Sequence, residues 1–232
     1  MIKRVIVRGP ALTQSGYGEH TRFLLRALRK HPEKFDIYLV ALNWGQTGWV
    51  SEDSEEREWM DSLVMKTHHY TKSGGQFDMS IQVSIPNEWE RLAPYNVGVT
   101  AGIETTKVAP VWLEKANAMD KVVTISEHSK RVFLETVYEG FSKQTQQPMK
   151  LTCETPVEVV HYPVKEYEVD ALELDLCYDY NYLMVSQWGP RKNMQNAVKW
   201  WIEENYDEEV GLVLKTSVKN NSVMDREFIK DD

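Results

Sequence analysis

The chain has 232 residues, with 27 Lys and Arg against 35 Asp and Glu and a formal net charge of −8. That length buries a sizeable core and is long for one compact domain yet short for two complete ones, while the acidic balance and the dispersal of the cations argue against a nucleic-acid partner. No apolar run is long enough to cross a bilayer and no basic leader opens at Met1, so a cytoplasmic protein without a membrane span is expected.

In chain order, Lys3 to Arg8 is a β-branched run suited to a buried strand, ended by Gly9-Pro10. From Tyr17 to His31 the apolar residues Phe23, Leu24, Ala27 and Leu28 recur at helical spacing, with Arg22, Arg26 and Arg29 on the other side. Strand, loop and helix open a βαβ unit. Further strands are predicted at Phe35–Leu42, Asp78–Val83 and Tyr95–Thr100, then a helix over Ala109–Met119 and a strand over Lys121–Ile125. Ser126 is a good N-cap for a helix over His128–Tyr138, with Gly140 as its stop. The polar, Gln-rich stretch Ser142–Glu154 reads as an irregular excursion and Val157–Val164 as another strand. This alternation predicts an α/β fold, a Rossmann-like parallel sheet with helices on both faces, over residues 1–165. An acidic stretch, Glu166–Asp179, marks a linker over 166–180. Beyond it, a strand at Tyr182–Val185, a helix at Asn193–Tyr206 and a strand at Val210–Lys215 make an incomplete second βαβ segment within 181–232, followed by a charged tail ending in Asp231-Asp232.

On such sheets ligands bind outside the carboxyl ends of the strands. In the first loop, Gly16 and Gly18 stand where a strand hands over to a helix, either to let backbone N–H groups approach a phosphate or sugar, or as an ordinary βα turn. Their spacing is neither Gly-x-Gly-x-x-Gly nor Walker A, and Asp36 starts rather than ends the second strand, which disfavours a nicotinamide-dependent oxidoreductase. Cys153 and Cys177 lack zinc spacing, and the His68-His69 pair has no supporting ligands, so no metal is expected. Trp44, Trp49, Trp89 and Trp188 fall in predicted loops or strand ends, where an indole packs either on a sugar face or into the core, and Trp200 and Trp201 lie within a helix.

The segment Ser15-Gly-Tyr-Gly-Glu-His20 before a Leu-rich helix resembles the opening of glycosyltransferase family 4, the retaining enzymes of GT-B architecture. Ile85-Pro-Asn-Glu-Trp89, Gly102-Ile-Glu-Thr-Thr106 with Trp112 and Asn117 after it, and Val123-Thr-Ile-Ser-Glu-His-Ser-Lys130 are similar to that family in the same order. Val185-Ser-Gln-Trp-Gly-Pro-Arg-Lys-Asn193 resembles its Val-Gly-Arg-x-x-Pro-Arg-Lys-Asn/Gly at the start of the donor-binding domain. Together the five segments cover nearly the whole chain.

The resemblance implies a nucleotide-diphosphate sugar as donor substrate, an acceptor small molecule or glycan, and neither a metal nor another cofactor. It places Gly16, Tyr17, Gly18, Gln187, Arg191, Lys192 and Lys215 at the donor, with Glu104 and Lys192 as the catalytic pair. Arg191 and Lys192 would grip the diphosphate as charge gathers on the leaving phosphate. Lys192 falls on the family's lysine, but the motif's first Arg falls on Gln187, so one cation is missing unless Arg191 or Lys215 replaces it. Glu104, just after a predicted strand, either accepts hydrogen bonds from sugar hydroxyls or is a plain surface carboxylate, and Asn87 and Glu88 are weaker candidates.

The family's paired glutamates would lie beyond Asp232, and a lone βαβ unit cannot bury its own faces. The expected function is therefore a hexosyltransferase that is inactive or partner-dependent as this chain, completed in a homodimer or by a partner chain carrying the C-terminal half. The alternative is a non-catalytic remnant of a split glycosyltransferase that binds carbohydrate or protein.

Overall fold

Val5 and Val7, fully buried, anchor strand β1 (Lys3–Gly9) at the inside of a sheet. The computed structural model describes residues 2–51, 53–141, 147–166, 168, 171–218, 224, 227 and 229. Residues 142–146 of the Gln-rich stretch, 167, 169 and 170 of the linker, and the tail at Asp231-Asp232 lie outside the described residues. Helix α1 (Gly16–Arg29) follows β1, and β2 (Phe35–Ala41), α2 (Glu55–Lys72), β3 (Met79–Val83) and β4 (Tyr95–Val99) come next. Then α3 (Pro110–Asn117), β5 (Lys121–Thr124), α4 (Glu127–Glu135), a hairpin of β6 (Tyr138–Phe141) with β7 (Pro148–Leu151), and β8 (Val157–Val159) complete the first unit.

Six strands pair in the order β2-β1-β3-β4-β5-β8, every pair parallel. Because β1 lies between β2 and β3, the chain reverses its direction of travel there, which makes the carboxyl ends of β1 and β3 the topological switch point. Register puts Val5, Val7, Ile81, Val83, Val97 and Val99 on one face, under Leu25 and Leu28 of α1 and Met60 and Leu63 of α2. Val122 and Val157 face the other way, under Leu113 and Ala116 of α3 and Val132 and Phe133 of α4. Helices thus cover both faces, the Rossmann-like α/β arrangement that the alternation predicts.

Local differences have physical causes. No helix is predicted between Leu42 and Asp78, yet α2 runs there for 18 residues, with Ser54 accepting from the Arg57 amide and three glutamates in its first turn. α4 stops at Glu135, short of Tyr138, where the Thr136 backbone turns extended (φ −70°, ψ 123°) and leads into β6. The described part of the excursion includes a hairpin strand, and the strand at 157 pairs only as far as Val159. Arg22, placed by its spacing on the polar side of α1, is 8% exposed. Trp89 lies in a loop, as expected, and takes the core rather than the sugar-face alternative: it is fully buried, its ring lying where a side chain at Gly98 would stand.

The chain divides into two compact units, one of residues Met1–Trp44 and Val50–Val164, the other of Gly45–Trp49 and Lys165–Asp232. In the second, β9 (Tyr180–Gln187), α5 (Met194–Asn205) and β10 (Val210–Ser217) form a parallel βαβ unit, Tyr180 pairing with Val210 and Gln187 with Ser217. The Tyr182 ring meets Trp201 of α5 at 6.1 Å, while Leu183 and Val185, on the opposite face of the strand, are 66% and 63% exposed. Among the described residues of this unit Met194 is the one buried apolar side chain.

Candidate functional site

The loop from β1 to α1 leaves the sheet at the switch point, and its conformation is fixed by its own polar groups. The Thr13 hydroxyl donates to the Pro10 carbonyl (2.9 Å), so the Ser15 hydroxyl donates to Thr13 Oγ1 (2.8 Å) and accepts from the Gly18 amide (2.9 Å) as N-cap. A side chain at 18 would meet the Thr13 carbonyl oxygen at 2.3 Å, so glycine there allows the loop to fold back over the first turn. The Gly18 N–H is consumed by the cap rather than offered to a ligand. Gly16 differs: it is exposed, with open space around it.

Beneath this loop Arg22 donates from Nη1 to the carbonyls of Ala11 (2.6 Å) and Thr13 (2.9 Å), and from Nε to Glu19 (2.7 Å). Arg26 bridges Glu19 (2.8 Å) and Glu56 of α2 (2.5 Å). The Arg26 hydrogen bond holds Glu56 below the usual carboxylate range. Burial pushes Glu19 up, but hydrogen bonds from Arg26 and Arg22 outweigh it and leave that carboxyl lowered as well. The loop therefore rests on an alternating charge chain, rather than on a solvated arginine face.

Tyr17 crosses the switch point. Its Oη accepts from the Ala101 amide (3.1 Å), so its proton goes to Thr100 Oγ1 (3.0 Å), and its ring lies 4.3 Å from that of Trp44. Burial pushes this phenol up. Its hydroxyl links α1 to the end of β4. Nearby on α1, the His20 ring stands edge-on to Tyr162 at 4.8 Å, with Nδ1 enclosed and without a hydrogen-bond partner among the described residues. Burial lowers the His20 pKa.

Glu104 lies on the loop after β4. The loop is pinned at both ends: the Ile103 amide donates to Ser129 Oγ (3.2 Å), the Val108 amide to Thr136 Oγ1 (3.2 Å), and Tyr138 Oη to the Val108 carbonyl (2.7 Å). Between these anchors Glu104 and Lys107 are exposed and edge a hollow of about 450 Å³ walled by Trp112.

In the second unit, the amides of Lys192 and Asn193 donate to the Gly189 carbonyl (3.0 and 3.1 Å), winding a turn that ends in Asn193 with φ 53°, the left-handed region. Asn tolerates this conformation better than most residues, and here its Oδ1 accepts from Asn196 Nδ2 (2.7 Å). The Arg191 and Lys192 side chains are exposed and make no hydrogen bond or ion pair among the described residues. Beside them, at the start of α5, is a hollow of about 500 Å³ lined by Trp188, Gly189, Pro190, Asn193 and Met194. Gln187 donates its amide to the Val218 carbonyl (2.6 Å). Lys215 pairs with Val185 and shares its face, opposite the face on which Tyr182 meets α5.

The sequence-predicted residues thus fall into three local groups: Gly16, Tyr17 and Gly18 at the first loop, Glu104 after β4, and Arg191 with Lys192 at the α5 turn. Gln187, Arg191, Lys192 and Lys215 all lie outside the lining of the α5 hollow, Arg191 and Lys192 falling in the turn between its lining residues Pro190 and Asn193. Sequence reasoning missed Arg22 as the support of the first loop, and Lys107 as the second charge beside Glu104. The Glu19, Arg22 and Arg26 spacing of three and four was the available signal for the former; Lys107 had none.

Among the described residues no helix is long and apolar enough to cross a membrane, and no three His, Cys, Asp or Glu side chains gather as metal ligands. Compared with protein-family models, curated proteins and solved structures, the chain matches none.

Proposed function

We propose that this chain carries the acceptor-side sheet and part of the diphosphate site of a retaining hexosyltransferase whose donor is a nucleotide-diphosphate sugar. The observation that carries the reading is the turn before α5, where Arg191 and Lys192 stand without partners beside a hollow at the helix start. Cations at the positive end of a helix are disfavoured unless an anion joins them. A diphosphate there would meet helix amides, the planar fork of Arg191 and the mobile charge of Lys192, all of which strengthen as the phosphate departs. The left-handed Asn193 supports the resemblance, because the family's choice of Asn or Gly at that place suits such a backbone. With Gln187 held by Val218 and Lys215 on the other face of the strand pair, Arg191 is the residue that replaces the missing cation.

In this scheme Glu104 receives sugar hydroxyls, Gly16 leaves the backbone of the first loop open, Tyr17 braces that loop against the end of β4, and the two cations do the work for which other enzymes use a metal. Calorimetry with UDP, GDP and ADP tests it. At least one should bind, and R191A/K192A should weaken that binding by about tenfold or more. No heat with any of the three overturns the reading.

A second reading, a non-catalytic module that pairs with a second copy or with a C-terminal-half partner, is favoured by the exposure of Leu183 and Val185 on the uncovered face of β9. Light scattering that finds a strict monomer across micromolar concentrations counts against the homodimer.

A further inference from the structure

We infer that the hollow lined by Gly102 to Trp112 is a binding site for a neutral pyranose ring, held through its hydroxyls by Glu104 and Lys107 and through its apolar face by Trp112. That the ring is the acceptor rests on the transferase reading above; that it binds rests on the hollow itself. Three observations converge. The volume, about 450 Å³, falls in the range of small-molecule sites. The loop is held in place beforehand, with Ile103 and Val108 in the core and their amides bonded to α4 and its cap, so little ordering cost remains for a ligand. Its polar side chains are uncommitted: the Glu104 carboxylate, the Lys107 ammonium and the Trp112 indole N–H form no hydrogen bond or ion pair among the described residues, while the Lys107 carbonyl accepts from the Thr105 hydroxyl (2.7 Å) and helps hold the loop.

The charge pattern selects the ligand class. An anion entering the hollow meets the Glu104 carboxylate and a cation meets the Lys107 ammonium, so neither is favoured over water. A hydroxyl suits both, since it donates to the carboxylate and accepts from the ammonium or the indole N–H. Several hydroxyls on a rigid ring with one apolar C–H face describe a pyranose. Trp112 supplies the matching surface, and its ring is steadied by the buried Phe133 at 6.5 Å with planes inclined by 23°.

Saturation-transfer NMR on the full chain tests this, with the methyl α-glycosides of glucose, galactose and mannose as neutral probes and glucuronate and glucosamine as charged ones. At least one neutral glycoside should receive saturation on its ring protons and exceed both charged probes. E104Q and K107Q, both at exposed positions, should each weaken it by about tenfold, and W112L should abolish it, while W112F retains part. Silence from all three neutral glycosides, preference for a charged probe, or signals unchanged in the E104Q/K107Q double variant overturns the inference. A diphosphate titration on the same sample separates the two claims. Diphosphate binding without glycoside binding defeats this inference alone, and glycoside binding without diphosphate binding upholds it while defeating the transferase reading.

Discussion

Replacing Arg22 by Met keeps most of the aliphatic stem packed under the first loop and removes the guanidinium. Three hydrogen bonds go, to the Ala11 carbonyl at 2.6 Å, the Thr13 carbonyl at 2.9 Å and Glu19 at 2.7 Å. Glu19 keeps Arg26 at 2.8 Å, so it remains paired. Ala11 and Thr13 are 0% and 1% exposed, and water replaces the lost donor there poorly. Each stranded acceptor costs about 1–3 kcal/mol, and relief from burying a cation returns part of that, leaving a net loss of about 2–4 kcal/mol. For a protein of this size each kcal/mol lowers the melting temperature by about 2–4 °C, so R22M should melt roughly 4–16 °C below the parent by circular dichroism. R22K, with one ammonium in place of a fork, should fall between. An R22M variant that melts within about 1 °C of the parent refutes the claim that this arginine holds the loop.

G98A adds a methyl group 2.6 Å from the buried Trp89 ring and should cost about 1–3 kcal/mol in urea unfolding; an unchanged midpoint contradicts that packing. His20 is held below its ordinary 6.5 by burial, so the unfolded chain binds the proton first and stability falls as pH drops through about 6.5. H20Q should flatten that decline between roughly pH 7 and 5.5, and identical profiles in variant and parent would speak against it. N193G should keep the left-handed turn and diphosphate affinity, whereas N193V should cost about 1–2 kcal/mol and weaken binding; equal affinities in the two variants contradict the role given to this backbone.

The sheet was legible because its buried strands are β-branched runs ended by turn residues: Val5-Ile6-Val7 before Gly9-Pro10 is an example. Helix α2 was harder, since its inward residues Met60, Leu63 and Thr67 are spread among Glu, Arg, Lys and His, although Ser54 and the acidic first turn announced its start. The β6–β7 hairpin is mostly exposed and has no alternating apolar pattern to reveal it. At the site, the turn carrying Arg191 and Lys192 was legible as a motif. The burial of Arg22 was not, because it depends on two loop carbonyls nine and eleven residues away, whereas core packing of Trp89 was open in the sequence and only its place over Gly98 was not. Gly16 and Gly18 look alike in sequence and differ in the fold, one open and one required by the Thr13 carbonyl.

Phosphorus NMR of UDP, GDP and ADP tests, at the atoms concerned, whether Arg191 and Lys192 receive a diphosphate. The α- and β-phosphorus lines of at least one nucleotide should broaden and shift with the parent chain, and the R191A/K192A variant, folded by circular dichroism, should leave them unmoved. Lines unaffected by the parent, or affected equally by the variant, contradict diphosphate binding at these residues.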